Sequence, residues 1–295
     1  MFGSMKLGKL FGIDTYVHGT FWLLPLFVLV NSLGAGVSAI AIAFELLFVF
    51  AVFGCVALHE VGHALAAAAY GIRTRDITLY PIGGVASLEG MPEKPLQEVV
   101  VALAGPAVNV VIAAGIFLGV VGGAMAMPWA SAPDAVEEFV GRLLLANVVL
   151  CLFNLLPAFP MDGGRVLRAL LSIRMSRLRA TEIAVKVGTV VAALLMVAGF
   201  AIPQYSLILI AVVVWMLGQA ELGGIRLMEA RREFERRARE MFGGSPAPAA
   251  SGPVPLPADA ADDLAARRFS GLAWDADRRV WVQWLNGAPV RDLPM

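Results

Sequence analysis

At 295 residues the chain could fold as one or two soluble domains. However, 59% hydrophobic and 16% charged residues, with a mean hydropathy of +0.76, place it among multi-pass membrane proteins. Lysine plus arginine and aspartate plus glutamate both total 23, a balance that argues against nucleic acid as a partner. The two cysteines, Cys55 and Cys151, fall in apolar runs and read as small buried hydrophobes, which argues against a disulfide framework.

The opening stretch "MFGSMKLGKLFGIDTYVHG" leads into a long apolar segment without a small-residue cleavage site, so that segment reads as a retained span. A span needs about 20 mainly apolar residues. Six candidates follow in chain order: His18 to Val30, Val37 to Tyr70, Leu96 to Ala124, Val140 to Leu156, Thr181 to Ala201 and Tyr205 to Leu222. The first is short, and the second is long enough to tilt or to project from the hydrocarbon. Lys6 and Lys9, then Arg73, Arg75 and Lys94, then the basic stretch from Arg165 to Arg179 and that from Arg226 to Arg239 all fall on one side of this pattern. The loops on the other side carry no lysine or arginine, although Arg142 sits just inside the fourth span. Positive charge marks the cytoplasm. Both termini are therefore expected there, in a multi-pass cell-membrane protein, a prokaryotic plasma membrane being the natural setting.

Two segments between spans differ from ordinary loops. "RDITLYPIGGVASLEGMP", Arg75 to Pro92, reads as two short strands around a turn. Its apolar character suggests a hairpin that dips into the membrane, where its backbone groups need partners or a cavity. "NLLPAFPMDGGR", Asn154 to Arg165, has prolines and glycines that end a span early and imply a loop at membrane depth. The expected organisation is a membrane domain over residues 1–225, an amphipathic cytoplasmic helix over 226–242, a Pro/Ala/Gly linker over 243–262 and a small β-hairpin-like tail over 263–295, signalled by Asn286-Gly287. The fold class is thus an all-α polytopic membrane protein of about six transmembrane helices, with a short membrane-dipping β-hairpin and a small C-terminal β-like tail.

The chemistry concentrates in "HEVGH". His59 and His63 stand four residues apart, so on a helix they share a face and can hold one metal ion. Glu60 lies beside that face, placed to take a proton from water. Buried polar side chains can also simply join helices. Against that stand the spacing and the cost of a glutamate in lipid, since only three histidines occur in the whole chain. A catalytic zinc usually has three protein ligands, and Asp162, in "PMDGG", is the other strong oxygen donor expected at membrane depth. Alone, Asp162 could equally cap the helix that begins near Gly163. Glu45 reads as a helix contact or cavity lining, and His18 as interfacial.

"HEVGH" together with "NLLPAFPMDGGRVLRAL" closely resembles the site-2 protease family of intramembrane zinc metalloproteases, whose second signature is N-x-x-P-x-x-P-x-D-G. "LAGPAVNVVIA" resembles the G-P-x-x-N element of that family, and "YPIGGVASLEG" its hairpin segment. The resemblance covers about Phe11 to Glu221. It implies that His59, His63 and Asp162 bind one zinc ion per chain and that Glu60 is the general base and proton shuttle. Asn154 matches the asparagine thought to hold substrate backbone or oxyanion; ending the fourth span by a hydrogen bond is an equal alternative. For Asn109 a helix-to-helix hydrogen bond is the favoured role. Met161 stands where leucine is usual, a volume-conserving change, and the short C-terminus has no room for the nucleotide-sensing modules of some relatives.

The function implied is cleavage of transmembrane segments of membrane proteins near the cytoplasmic side, in regulated intramembrane proteolysis. Substrates in this family include anti-sigma factors, membrane-tethered regulators and signal-peptide remnants, and no residue here selects among them. The alternative is a metal-dependent membrane transporter or a non-catalytic membrane binding protein built on the same ligands. Such a protein has no need of Glu60. Oligomeric state, any prior first cut and the role of the tail are not encoded in a motif.

Overall fold

A computed structural model describes residues 3–81, 83–90, 92, 94–126, 134–202, 205–241, 271–275, 280–285 and 288–293. The linker expected over 243–262 and the Asn286-Gly287 turn lie outside the described residues. The chain divides into two compact units, Met1–Glu229 and Ala230–Met295.

The first unit begins with two strands that the expected all-α architecture omitted. β1 (Ser4–Leu10) and β2 (Ile13–His18) form an antiparallel hairpin. Its two-residue loop, Phe11 at φ 50° and Gly12 at φ 86°, has the positive dihedrals whose twist matches paired strands. A turn of 3-10 helix at Gly19–Trp22 then leads into α1 (Leu23–Gly34), which gives way to α2 (Ala39–Ala69). β3 (Thr74–Tyr80) and β4 (Gly83–Leu88) follow as an antiparallel pair, and β2 joins β3 in parallel, giving one sheet in the order β1-β2-β3-β4. The predicted pair of strands is therefore half of a four-stranded sheet. Alternation sends Val17 and Leu79 inward against Phe21, Phe53 and Ala57, the cluster that fixes the sheet to α2.

The remaining helices are α3 (Pro95–Ala126), α4 (Asp134–Asn154), α5 (Asp162–Ser172), α6 (Arg177–Ala201) and α7 (Tyr205–Met241). α3 packs against α2, α4 and α5, and α5 packs against α6. Among the described residues, four helices are long and apolar enough to cross a membrane: α2, α3 through Gly123, α6, and α7 through Arg237. The apolar helix Gly19–Gly34 is shorter, and α4 carries Asp134, Glu137, Glu138 and Arg142 in its first half. Among the described residues, length and composition alone thus support four of the six expected spans. Arg142 donates from both terminal guanidinium nitrogens to Glu45 of α2, at 2.7 and 2.9 Å, so the charge in α4 has an opposite charge beside it. Two further apolar clusters surround the loop between α4 and α5. One joins Ala158 and Met161 to Ala192, Ala211 and Val214; the other joins Phe159 to Ala184, Val185 and Leu222.

α7 runs without interruption across the expected boundary at residue 225. In the second unit its charged surface is laced by pairs such as Arg231 with Glu235, at 3.0 Å. Strands β5 (Gly271–Asp275), β6 (Val280–Leu285) and β7 (Ala288–Leu293) form an antiparallel meander in that order.

Candidate metal centre

The helix propensity of "HEVGHALAAAA" keeps α2 regular through His59 and His63, whose rings meet edge to face with centroids 4.7 Å apart. Asp162 reaches them from the first turn of α5. All three are about 95% buried. The Nε2 atoms of the histidines lie 3.0 Å apart, and Asp162 Oδ2 stands 3.2 Å from the first and 3.1 Å from the second. The N-cap position of α5 is Met161, and the Asp162 carboxylate faces the two histidines in a cluster that could hold a metal ion.

The loop before α5 explains the two glycines after Asp162. Any Cβ on Gly163 would strike the carbonyl oxygens of Leu155 and Leu156, and one on Gly164 would come within 2.7 Å of the Ala158 carbonyl carbon. The loop folds tightly over the start of α5, and only glycine leaves it room. From the far side, α5 is held by Arg168, which is 1% exposed. Its guanidinium donates to Glu98 of α3, at 2.9 Å from Nε and 2.5 Å from Nη2, and to Glu221 of α7 at 2.6 Å, while lying 5.1 Å over the Phe159 ring. Arg177 adds a contact to Glu98 at 3.3 Å.

The outer nitrogens of the two rings decide what the inner ones can do. His63 Nδ1 lies 2.7 Å from the Val101 carbonyl, which can only accept, so this nitrogen carries the proton. His59 Nδ1 lies 2.5 Å from Asn109 Oδ1 and donates to it. Both Nε2 atoms therefore present lone pairs, and they face each other and a carboxylate oxygen. Three acceptors converging in a buried space need a proton or a metal ion between them. Two imidazoles and a carboxylate form a donor set that suits zinc. The space for it exists because residue 105 has no side chain: a Cβ on Gly105 would collide with His63 Nε2 and stand 2.6 Å from His59 Nε2.

Glu60, half-buried, turns toward the sheet, where a Cβ on Gly84 of β4 would lie 2.5 Å from its Cγ and 3.1 Å from its Cδ. Asn154 does not join the cluster; its Nδ2 donates to the Leu150 carbonyl at 3.0 Å at the end of α4. Asn109 does more than join helices, since it also holds a metal-facing histidine. Asn147, whose Oδ1 accepts from Asn109 Nδ2 at 3.0 Å, escaped the sequence reading, as did Glu98, Arg168 and Glu221. An asparagine in an apolar helix was the available signal. His18 caps the 3-10 turn, its Nδ1 accepting from the Thr20 N–H, and it stacks on Tyr80.

A buried His-Glu-x-x-His helix, with an aspartate from another helix against its two histidines and membrane-length helices around it, fits an intramembrane zinc metalloprotease. The model of peptidase family M50 matches residues 47–126 and 118–198. A zinc metalloprotease of Methanocaldococcus jannaschii is 34% identical over 244 residues, 82% of this chain and 67% of that protein. Stage IV sporulation protein FB of Bacillus subtilis is 29% identical over 134 residues, 44% of this chain and 42% of that protein. Among solved structures, the site-2 protease from Methanocaldococcus jannaschii superposes with a TM-score of 0.54 at 31% identity, over 75% of this chain and 95% of that one. The chain belongs to peptidase family M50, and its zinc metalloprotease class is of the site-2 protease type.

Proposed function

We propose that the protein cleaves transmembrane segments of membrane proteins near the cytoplasmic side of a cell membrane, with His59, His63 and Asp162 as zinc ligands and Glu60 as general base. The observation that carries this reading is the convergence of three buried acceptors next to a half-buried glutamate, because ligands alone would suffice for storage or transport. Zinc held there supplies the Lewis acidity that polarises a peptide carbonyl and makes water acidic enough to ionise near neutral pH. Glu60 takes the proton from water and delivers it to the leaving amine, so that hydrolysis is neutral in protons overall. A transmembrane helix hides its amides in its own hydrogen bonds, and the substrate must unwind before one can react. β4 is the end strand of the described sheet, and an extended substrate paired to it would regain backbone partners beside Glu60. Asn154 at the end of α4 would reach substrate only by leaving Leu150.

The distribution of lysine and arginine supports cytoplasmic termini, six spans counting α1 and α4, and a cut toward the cytoplasmic end of α2. The bilayer and a membrane-spanning protein are the expected partners, and residues 243–295 are expected to act as linker and tail.

The test is cleavage of a tagged single-span substrate by purified protein in detergent, comparing wild type with Glu60→Gln while zinc is measured in both. The expected result is cleavage by wild type alone, with equal zinc. Unimpaired cleavage by Glu60→Gln would refute the assignment of the base. If that variant kept full function in cells while neither protein cut, a metal-dependent transporter or binding protein would be the better reading.

A further inference from the structure

The two histidines are fixed in different ways. His63 leans on a backbone carbonyl, whose polarity cannot be reversed. His59 leans on the side-chain amide of Asn109, and an amide can rotate by half a turn to exchange its oxygen for its nitrogen. In the rotated state a donor would face His59 Nδ1, which would then have to accept and move the ring proton to Nε2. That proton would occupy the lone pair aimed at the metal.

What prevents the rotation is one helix further away. Asn109 Nδ2 donates to Asn147 Oδ1 at 3.0 Å, and Asn147 Nδ2 donates to the Leu143 carbonyl at 2.9 Å and approaches Cys55 Sγ at 3.4 Å. The Leu143 carbonyl can only accept, so the nitrogen of Asn147 must face it and the oxygen must face Asn109. That oxygen requires a nitrogen from Asn109, which leaves the Asn109 oxygen for His59. The order of donors and acceptors is therefore dictated from α4, passes through α3 and ends in the tautomer of a ring on α2. Both asparagines are fully buried, so water is not at hand to satisfy a reversed arrangement.

We propose that Asn147, through Asn109, is a positioning residue that sets the tautomer of His59 and keeps its Nε2 open to the metal. This rests on His59 being a zinc ligand and on nothing about the substrate. Partners of this kind behind a metal-bound histidine typically change metal affinity about 10- to 100-fold when lost.

Two substitutions separate this role from mere packing. Asn147→Asp keeps an acceptor toward Asn109 in either protonation state. Asn109→Asp, as a carboxylate, presents an acceptor to His59 that no rotation can reverse, which should make Asn147 dispensable. Zinc affinity would be measured on the full-length protein in detergent by competition with a chromophoric chelator. The expected result is that Asn147→Leu binds zinc at least tenfold more weakly than wild type. Asn147→Asp should stay within threefold of wild type, and adding Asn109→Asp to Asn147→Leu should restore most of the loss. If Leu at this position prevents folding, Asn147→Ala takes its place with the same expectations. Unchanged affinity on losing the amide, or a double variant as weak as the single one, would overturn the proposal. Wild type without zinc affinity would overturn the ligand assignment and this inference with it.

Discussion

Gly105→Ala adds one methyl group against the two ring nitrogens that face Asp162. Its Cβ would stand 2.6 Å from His59 Nε2 and closer still to His63 Nε2, whereas ordinary contact begins at 3.4 Å. Relief requires a shift of about 0.8 Å at His59, several times the tolerance of about 0.2 Å on a metal-ligand distance. The rings cannot easily retreat, because their outer nitrogens are tied to Asn109 at 2.5 Å and Val101 at 2.7 Å. Withdrawal of α3 would open its close packing on Gly62 of α2, where a Cβ would lie within 2.8 Å of both Ala104 and Val108. The expected result is at least a hundredfold loss of zinc affinity, about 2.8 kcal/mol. Zinc content of the purified protein and chelator competition measure it. Gly218→Ala is the control, because its Cβ would meet only ordinary contacts at 3.9 Å or more. Stoichiometric zinc in Gly105→Ala, with affinity within threefold of wild type, would refute the reasoning.

Gly84→Ala should act on the base and leave the metal alone: displacing Glu60 by about 1 Å predicts a kcat roughly 100-fold lower with unchanged zinc content, and loss of zinc would count against it. Arg168→Met strands the buried Glu98 carboxylate with only Arg177, at 3.3 Å, among the contacts described. It should destabilise the protein by about 3–5 kcal/mol, read as a lower unfolding temperature in detergent, and Glu98→Gln should recover part of the loss. Arg142→Leu leaves Glu45 without its bidentate partner, predicting weaker stability that Glu45→Leu in the same chain restores; additive losses would show that the pair is not coupled.

The apolar helices and the histidine pair were legible because hydrophobic runs and the four-residue histidine spacing are local. β1 and β2 were not. Ile13, Thr15 and Val17 alternate as a strand should, but glycine and lysine in β1 and an apolar helix directly afterwards made the stretch read as a lead-in. Whether Asp162 caps or ligates was also open in the sequence, since both roles suit an aspartate at a helix start. The structure brings α5 to α2 across 103 positions and sets the Asp162 carboxylate against the two histidines. Arg168 read as one basic residue among many on the cytoplasmic side. Its role depends on Glu98 and Glu221, at separations of 70 and 53 residues, and no periodicity reports such distances. For Asn147 the type of residue was conspicuous, whereas the direction of its hydrogen bonds belongs to three helices at once.

The position of β4 at the end of the sheet bears on what this enzyme would discriminate. A strand edge offers peptide N–H and C=O groups, which every sequence possesses, so pairing there is nearly blind to side chains. It does distinguish a segment that surrenders its helix readily from one that does not. Susceptibility would then track the local fragility of a transmembrane helix, rising with glycine, proline or asparagine near the cut. A poly-leucine span bearing no consensus motif would become a substrate once its helix was weakened.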